Sequence, residues 1–591
     1  MFSSLIAPLP MQRAGLYGAW GQLDEALCAY CRARRDAAQN LAELKTRVRQ
    51  RAAACHLATD IPEGEDFDDY VGRLYRRVVD LCHMPVRAGL SDRRLSGSAL
   101  TAYIVSRVRF AGEAPSLLRV LSRESGIASD DLFERCSLTD EMGKTRGEVR
   151  ERLEDRMVEL VDGLAAGGFS EEAAQKVMAW PEVRAMSQRG QAELGKVFSY
   201  ITEKLTPSLR LSAVNRAAAM LARETEISCL PSPRGWEMGK KLGEAFIERY
   251  IMDEGRYPET VAMILWEEAN RRSRGQCVAE FLYLLGVRPV WNAKGQVCRL
   301  AVIPARELRR PRVDVIACVS GRFRRWMGAV TNLLGAAVEQ IAALNVRDAD
   351  NFPARHIEMD AVWLRMKGYD EKTAAREAKQ RVFLEPPADG NMAQMPMILR
   401  RGLSRLDAVV KNEDTRTTHM FCSDVYPACQ GAVMAAARDL TGHLPAGYIG
   451  DSSDPEHVRV RPLAVEARRL FWGEAMNPKF LTDLRAYGEE GAHEMAHYLE
   501  RLCRWDERSE IMEDWMYEMA ARLYCLNKDV AHWLREQSPL ALYHQCRLLL
   551  EAIETGRWQA KNRTRTALSA LADSLADSLA DAVEEDGAVR A

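Results

Sequence analysis

Residues 310–321, Arg-Pro-Arg-Val-Asp-Val-Ile-Ala-Cys-Val-Ser-Gly, decide the fold class. Val313–Val319 is apolar except at Asp314, is rich in β-branched residues, and runs into Ser320-Gly321. A short run of that composition, closed by a turn signal, reads as a buried strand. Upstream, Glu-Thr-Val-Ala-Met-Ile-Leu-Trp (259–266) is a second candidate strand, and 274–286 reads as a helix closed by Gly286. Residues 288–303 read as a hairpin or paired strands around Gly295, and 235–255 as a helix ending at Gly255. Strand and helix alternate, so 236–345 is expected to be an α/β layer with some parallel pairing.

On either side the texture is helical. Residues 15–230 carry 3.6-residue periodicity and amphipathic charged runs such as "GEVRERLEDRMVELVDGL", and Leu230-Pro-Ser-Pro233 marks a boundary. From Leu463, apolar spacing predicts helices over 463–475, 478–487, 490–503, 508–525, 528–536 and 539–555. The expected fold is mixed α/β and predominantly helical. Its parts are a helical region 1–230, an α/β core 231–345, a mixed segment 346–462 with the loop "FLEPPADGNM", and an all-α region 463–560. A low-complexity helical tail, 561–591, repeats Leu-Ala-Asp-Ser.

The totals exclude several classes. With 591 residues and a formal charge of −2, nothing calls for a nucleic-acid partner. No apolar run is long enough for a membrane span, and the N-terminus lacks a basic n-region and a cleavage site. The 14 cysteines are scattered except for Cys28-Ala-Tyr-Cys31, which falls within a helical pattern; reduced thiols in a cytoplasmic protein are expected.

One short motif suggests metal chemistry. His493-Glu494-Met495-Ala496-His497 is H-E-x-x-H, the zinc-peptidase pattern. At 100° per residue, however, Ala492, Met495, Leu499 and Leu502 form the apolar stripe. The two histidines fall opposite it, beside Glu500 and Arg504, on the solvated face. No third histidine follows at the metzincin spacing, although Asp514 or Glu518 could be an acidic ligand. A zinc peptidase is kept as a remote alternative, and no metal-ligand set is assigned.

Longer segments carry a resemblance. Residues 248–292, 308–325, 348–356, 447–463, 474–496, 513–542 and 548–560 are similar, in order and spacing, to the C-terminal half of the large subunit of ATP-dependent metallochelatases. This is the CobN and magnesium chelatase H family, and the chain resembles a divergent member of it. Residues 7–27 resemble the middle of the same subunit. Within that frame Gly491-Ala492 and Glu494-Met495 mark a family helix, and the two histidines are incidental. The resemblance implies binding of a tetrapyrrole (corrinoid or porphyrin) as substrate and insertion of a divalent metal, cobalt or magnesium. It implies AAA+ ATPase partner subunits that use ATP, and a separate polypeptide carrying the N-terminal half.

The resemblance also implies site residues. Asp424, in Phe-Cys-Ser-Asp-Val-Tyr-Pro-Ala-Cys-Gln-Gly-Ala (421–432), matches a family acid and is a candidate base or transient metal ligand. Its alternative is a turn- or helix-capping aspartate. Cys422 and Gln430-Gly431-Ala432 stand where the family carries an acid and His-Gly-Gly, and Gln276 stands where it carries Glu. His356 is a candidate ligand or base, or else a capping or core histidine. Arg310, Arg312, Ser320, Gly321 and Arg324 are candidate tetrapyrrole-binding residues. Ser320-Gly321 would line a cleft, and Arg324 would hold a carboxylate or form an ion pair with Asp314 or Glu339. Because the departures fall in loops, a non-catalytic paralogue that binds a tetrapyrrole or partner subunits is the second reading.

Overall fold

The computed structural model describes residues 11–36, 39–57, 61, 63–64, 66–82, 84–87, 101, 104–105, 108, 116–127, 146–205, 229–344, 350–386, 394–413, 427–452 and 458–590. Two strands, β1 (Met11–Arg13) and β2 (Pro85–Arg87), pair antiparallel at the edge of the N-terminal helices. The decisive stretch is a strand. In chain order the others are β3 (Thr260–Leu265), β4 (Val287–Trp291), β5 (Val297–Val302), β6 (Asp314–Val319), β7 (Val382–Leu384), β8 (Ala408–Glu413), β9 (Ala446–Asp451) and β10 (Arg459–Pro462). β4 and β5 form the expected hairpin around Gly295.

The central sheet has the order β10-β9-β8-β3-β6-β7. Five strands are parallel and β10 is an antiparallel edge. Every residue of β3 and β6 is buried, as a sheet covered on both faces requires. Helices Pro233–Glu254 and Gln276–Leu285 cover one face; helices Phe352–Met366, Met397–Leu403 and Ala432–Thr441 cover the other. The segments expected as separate, 231–345 and 346–462, therefore build one sheet. The boundary at 345 disappears because β7 and β8 pair directly with β6 and β3.

The first covering helix starts as its sequence dictates. Ser232 accepts the Gly235 N–H, Pro233 occupies the first turn, and Gly255 closes the helix at φ 70°. Gly286 closes the second at φ 84°, and a Cβ there would meet Arg312 Nη1 at 2.0 Å, so only glycine fits.

The N-terminal region splits. Helices Gly18–Arg35 and Phe67–Cys82 join the main core through Trp20, Leu23, Leu74 and Val78, while residues from Ile104 to Ile201 pack a second core of their own. Three C-terminal helices fall close to their expected bounds, at Pro478–Arg485, Lys528–Gln537 and Pro539–Glu554, whereas helix Gly488–Ser509 runs past the expected 503 and the helix expected over 508–525 starts at Asp514. The tail is a helix, Asn562–Arg590, but its front half is not a free arm: Leu568, Ala572 and Leu575 are buried in the main core. No helix among the described residues is long and apolar enough to cross a membrane.

Candidate functional site

Strand order locates the site. From β3 the chain moves outward to β6 and β7, then returns to β8 on the other side of β3 and continues to β9 and β10. The carboxyl ends of β3 and β8 therefore flank the topological switch point, where doubly wound sheets form their ligand crevice.

Polar residues gather at this crest. Trp266 follows β3, Ser320 follows β6, Glu385 follows β7, and Lys411, Asn412 and Glu413 close β8. Lys411 and Asn412 are successive strand residues, so they face opposite sides of the sheet. On one side the Lys411 ammonium lies 3.6 Å from the centre of the Trp266 ring, and Trp266 Nε1 donates to Glu385 Oε1 at 2.9 Å. Cys429, buried at the start of the turn before helix Ala432–Thr441, adjoins the same carboxylate; burial and then Glu385 push its thiol upward. The Lys411 side chain is buried, whereas Glu385 is half-exposed. The arrangement combines a flat indole, a buried cation and a reachable carboxylate, so it can orient an aromatic ligand and accept a proton.

On the other side Asn412 Nδ2 donates to Glu280 Oε2, and Ser452 Oγ donates to Gln276 Oε1 at 2.8 Å. Glu280 is fully buried, and burial pushes its carboxyl up to about 8, against the opposing effect of the Asn412 bond.

Of the residues singled out in the sequence, Ser320 and Gly321 are at the crest. Ser320 caps helix Gly321–Trp326 by accepting the Phe323 N–H at 3.1 Å. Arg324 is exposed on that short helix. The pairing of Arg324 with Asp314 is corrected, because Asp314 lies at the opposite end of β6 and binds Arg381 and His356. Arg310, Arg312 and His356 also lie at that amino end, about 16 Å of strand away. Arg310 donates to the carbonyls of Leu284 and Pro311 and lies over the Tyr283 ring; it also bonds the Tyr283 carbonyl at 2.5 Å. Arg312 donates to the carbonyls of Gly286 (2.7 Å) and Ile303 (2.5 Å). Both tie down the end of helix Gln276–Leu285. His356 Nδ1 is 3.0 Å from Asp314 Oδ2 in a buried network with Arg381. Burial would raise the Asp314 carboxyl, but Arg381 and His356 outweigh it and hold it down at about 2. Asp424 lies outside the described residues.

Trp266, Glu385, Lys411, Cys429, Glu280 and Asn412 were not singled out in the sequence. Glu385 stands directly after a strand in "FLEPP", and Lys411-Asn412-Glu413 ends an otherwise apolar run. A polar residue on the last position of a buried strand is the signal that could have found them.

The zinc motif stays on the wet side. The His493 and His497 side chains are 46% and 62% exposed, and Glu494 accepts from Arg501. No cluster of three or more candidate metal ligands exists among the described residues.

Comparison with known proteins gives a consistent result. The family described as CobN/Magnesium Chelatase matches residues 6–226, 223–391 and 387–565. The aerobic cobaltochelatase subunit CobN of Pseudomonas aeruginosa is 28% identical over 579 residues, 86% of this chain and 46% of that protein. The chloroplastic magnesium-chelatase subunit ChlH of Oryza sativa subsp. indica is 24% identical, over 95% of this chain and 46% of that protein. The solved catalytic subunit of cobaltochelatase from Mycobacterium tuberculosis superposes with a TM-score of 0.81 at 26% identity, over 96% of this chain and 52% of that one. The chain thus spans about half the length of these relatives.

Proposed function

Because the chain belongs to the CobN/magnesium chelatase family, we propose that it binds a tetrapyrrole, a corrinoid or porphyrin, at the crest of its sheet. There it would take part in insertion of a divalent metal, cobalt or magnesium, as substrate. It would work in the cytoplasm with AAA+ partner subunits that hydrolyse ATP. Insertion requires that the ring lose two N–H protons while a hydrated cation sheds water. The observation that carries the reading is the Trp266–Glu385–Lys411 group at the switch point. Trp266 would offer a flat contact, Glu385 would accept a ring proton, and Lys411 would set a positive charge over the indole. Ser320 and Gly321 form the adjoining turn, whose exposed backbone lets a flat ligand approach.

Absorbance titration of the full chain with a corrinoid and with a porphyrin tests the proposal. A saturable band shift, weakened about tenfold in Lys411→Met or Glu385→Gln, is the expected result. No shift with either ring, in the presence or absence of a divalent cation, would sink it.

A further inference from the structure

Helix Phe352–Met366 covers the sheet with one side and carries an apolar row on the other. On the inner side Ile357 and Leu364 are buried in the main core. There Asp360 accepts from Arg401 and from Arg405, each at 2.8 Å, and His356 Nδ1 meets Asp314 at 3.0 Å. These contacts pin the helix, so its outer side is presented in a fixed orientation.

On that outer side Met359, Val362 and Met366 are 49%, 42% and 80% exposed. They are three of the nine large apolar side chains that stand exposed among the described residues, and they lie on one helix. Exposed apolar residues scattered singly need no partner, but a contiguous row marks an interaction surface. The spacing, three residues and then four, is that of a helix–helix seam. At 100° per residue the three fall within about 60° of arc, opposite Ile357, Asp360 and Leu364.

Charge indicates what covers the row. Glu358 and Arg365 border it on the same side, seven residues and about 10.5 Å apart along the axis, too far to pair within one helix. Among the described residues Glu358 has no cationic partner, and Arg365 reaches only Glu371, at 3.8 Å, a carboxylate exposed to solvent. A second copy of the helix, antiparallel about a two-fold axis between Met359 and Val362, resolves both features. Met359 of one copy then meets Val362 of the other, and Met366 lies along the Arg355 stem. Glu358 of each copy comes level, within about 3 Å along the axis, with Arg365 of the other. The axis makes every contact twice, so both acids and both bases are paired. A parallel pair would instead set Glu358 against Glu358.

We propose that the chain self-associates as a two-fold dimer through the outer side of helix Phe352–Met366. The seam is short, so the interface belongs to the small, weak class and the dimer forms in the micromolar range. No crest residue takes part, and the dimer is independent of tetrapyrrole binding.

The test is sedimentation equilibrium of the full chain over a roughly hundredfold range of concentration. The proteins compared are wild type, Val362→Glu, Glu358→Arg, Arg365→Glu and the double variant Glu358→Arg/Arg365→Glu. All the changes lie at exposed positions, and thermal unfolding confirms that each variant is folded. Wild type should pass from monomer to dimer as concentration rises, and Val362→Glu should stay monomeric. Each single reversal creates two like-charge pairs and should weaken the dimer about tenfold, and the double reversal should restore it. Restoration is the mark of a face that complements itself. Wild type that stays monomeric throughout overturns the proposal and leaves the row to a different protein. A dimer undiminished in Val362→Glu, or a double reversal no tighter than the singles, overturns it as well.

Discussion

Asn412 donates its side-chain N–H to one oxygen of Glu280, and among the described residues the other Glu280 oxygen and the Asn412 side-chain carbonyl oxygen are both buried without a donor. Two adjacent orphan acceptors are costly, and one proton on Glu280 resolves them by giving the acid an O–H to donate. The raised carboxyl, at about 8 against an ordinary 4.5, agrees with that protonated state. The folded value is the higher one, so this group's stabilisation is complete below pH 4.5. It is lost as pH rises from there through about 8. Urea unfolding at a series of pH values should show wild type losing on the order of 1 kcal/mol per pH unit relative to Glu280→Gln across that window. Glutamine carries a permanent donor in the same place, so parallel curves for the two proteins would refute the protonated pair.

At the amino end of the sheet the opposite sign holds. Asp314 is 1% exposed and binds Arg381 Nε at 2.7 Å and His356 Nδ1 at 3.0 Å. Its folded value is depressed, so its contribution is present above pH 3.8 and disappears as pH falls through about 2. Asp314→Asn should cost about 3–5 kcal/mol in chemical denaturation at neutral pH, because Arg381 keeps a buried charge with a weakened partner. His356→Gln should lower stability while leaving the tetrapyrrole titration of the folded protein unchanged. A changed titration with unchanged stability would return His356 to the ligand site.

These two clusters show what the sequence could and could not convey. The buried strand at 313–319 was legible because every position on it is apolar but one, and a sheet with helices on both faces demands that pattern. The C-terminal helices were legible because 3.6-residue spacing persists through them. Which end of β6 faces the crevice was not legible. It depends on strand order, and strand order is set by long-range pairing of β3 with β8 across more than a hundred residues. Arg310 and Arg312 therefore looked like ligand groups, although their guanidiniums bind backbone carbonyls. Glu385 and Lys411 drew no notice because each is a single polar residue at the end of a short run. Only the fold brings Lys411 to the face and Glu385 to the N–H edge of one indole.

His493 and His497 were read as solvent-facing from helical arithmetic alone, and their exposure agrees. Replacing both by alanine should leave the zinc content of purified protein unchanged and shift unfolding free energy by no more than about 0.5 kcal/mol. Zinc near stoichiometry that vanishes in the double variant would restore the peptidase alternative.

The glycine that opens the same helix segment should be far less tolerant. An added Cβ at Gly491 would stand 1.8 Å from the Leu484 carbonyl oxygen, a backbone atom that cannot swing aside. Alanine normally gains about 0.5–1 kcal/mol over glycine inside a helix, whereas overpacking costs about 1–3 kcal/mol, so the clash should win. Gly195 is the control: it lies in helix Gln188–Tyr200 with nothing within 4 Å of the new methyl group. Gly491→Ala should therefore lower the unfolding midpoint and Gly195→Ala should raise it or leave it unchanged, read in the same urea titration. If both substitutions raised it, the close approach of helix Gly488–Ser509 to helix Pro478–Arg485 would not exist in solution, and Gly491 would lose its standing as the residue that fixes that packing.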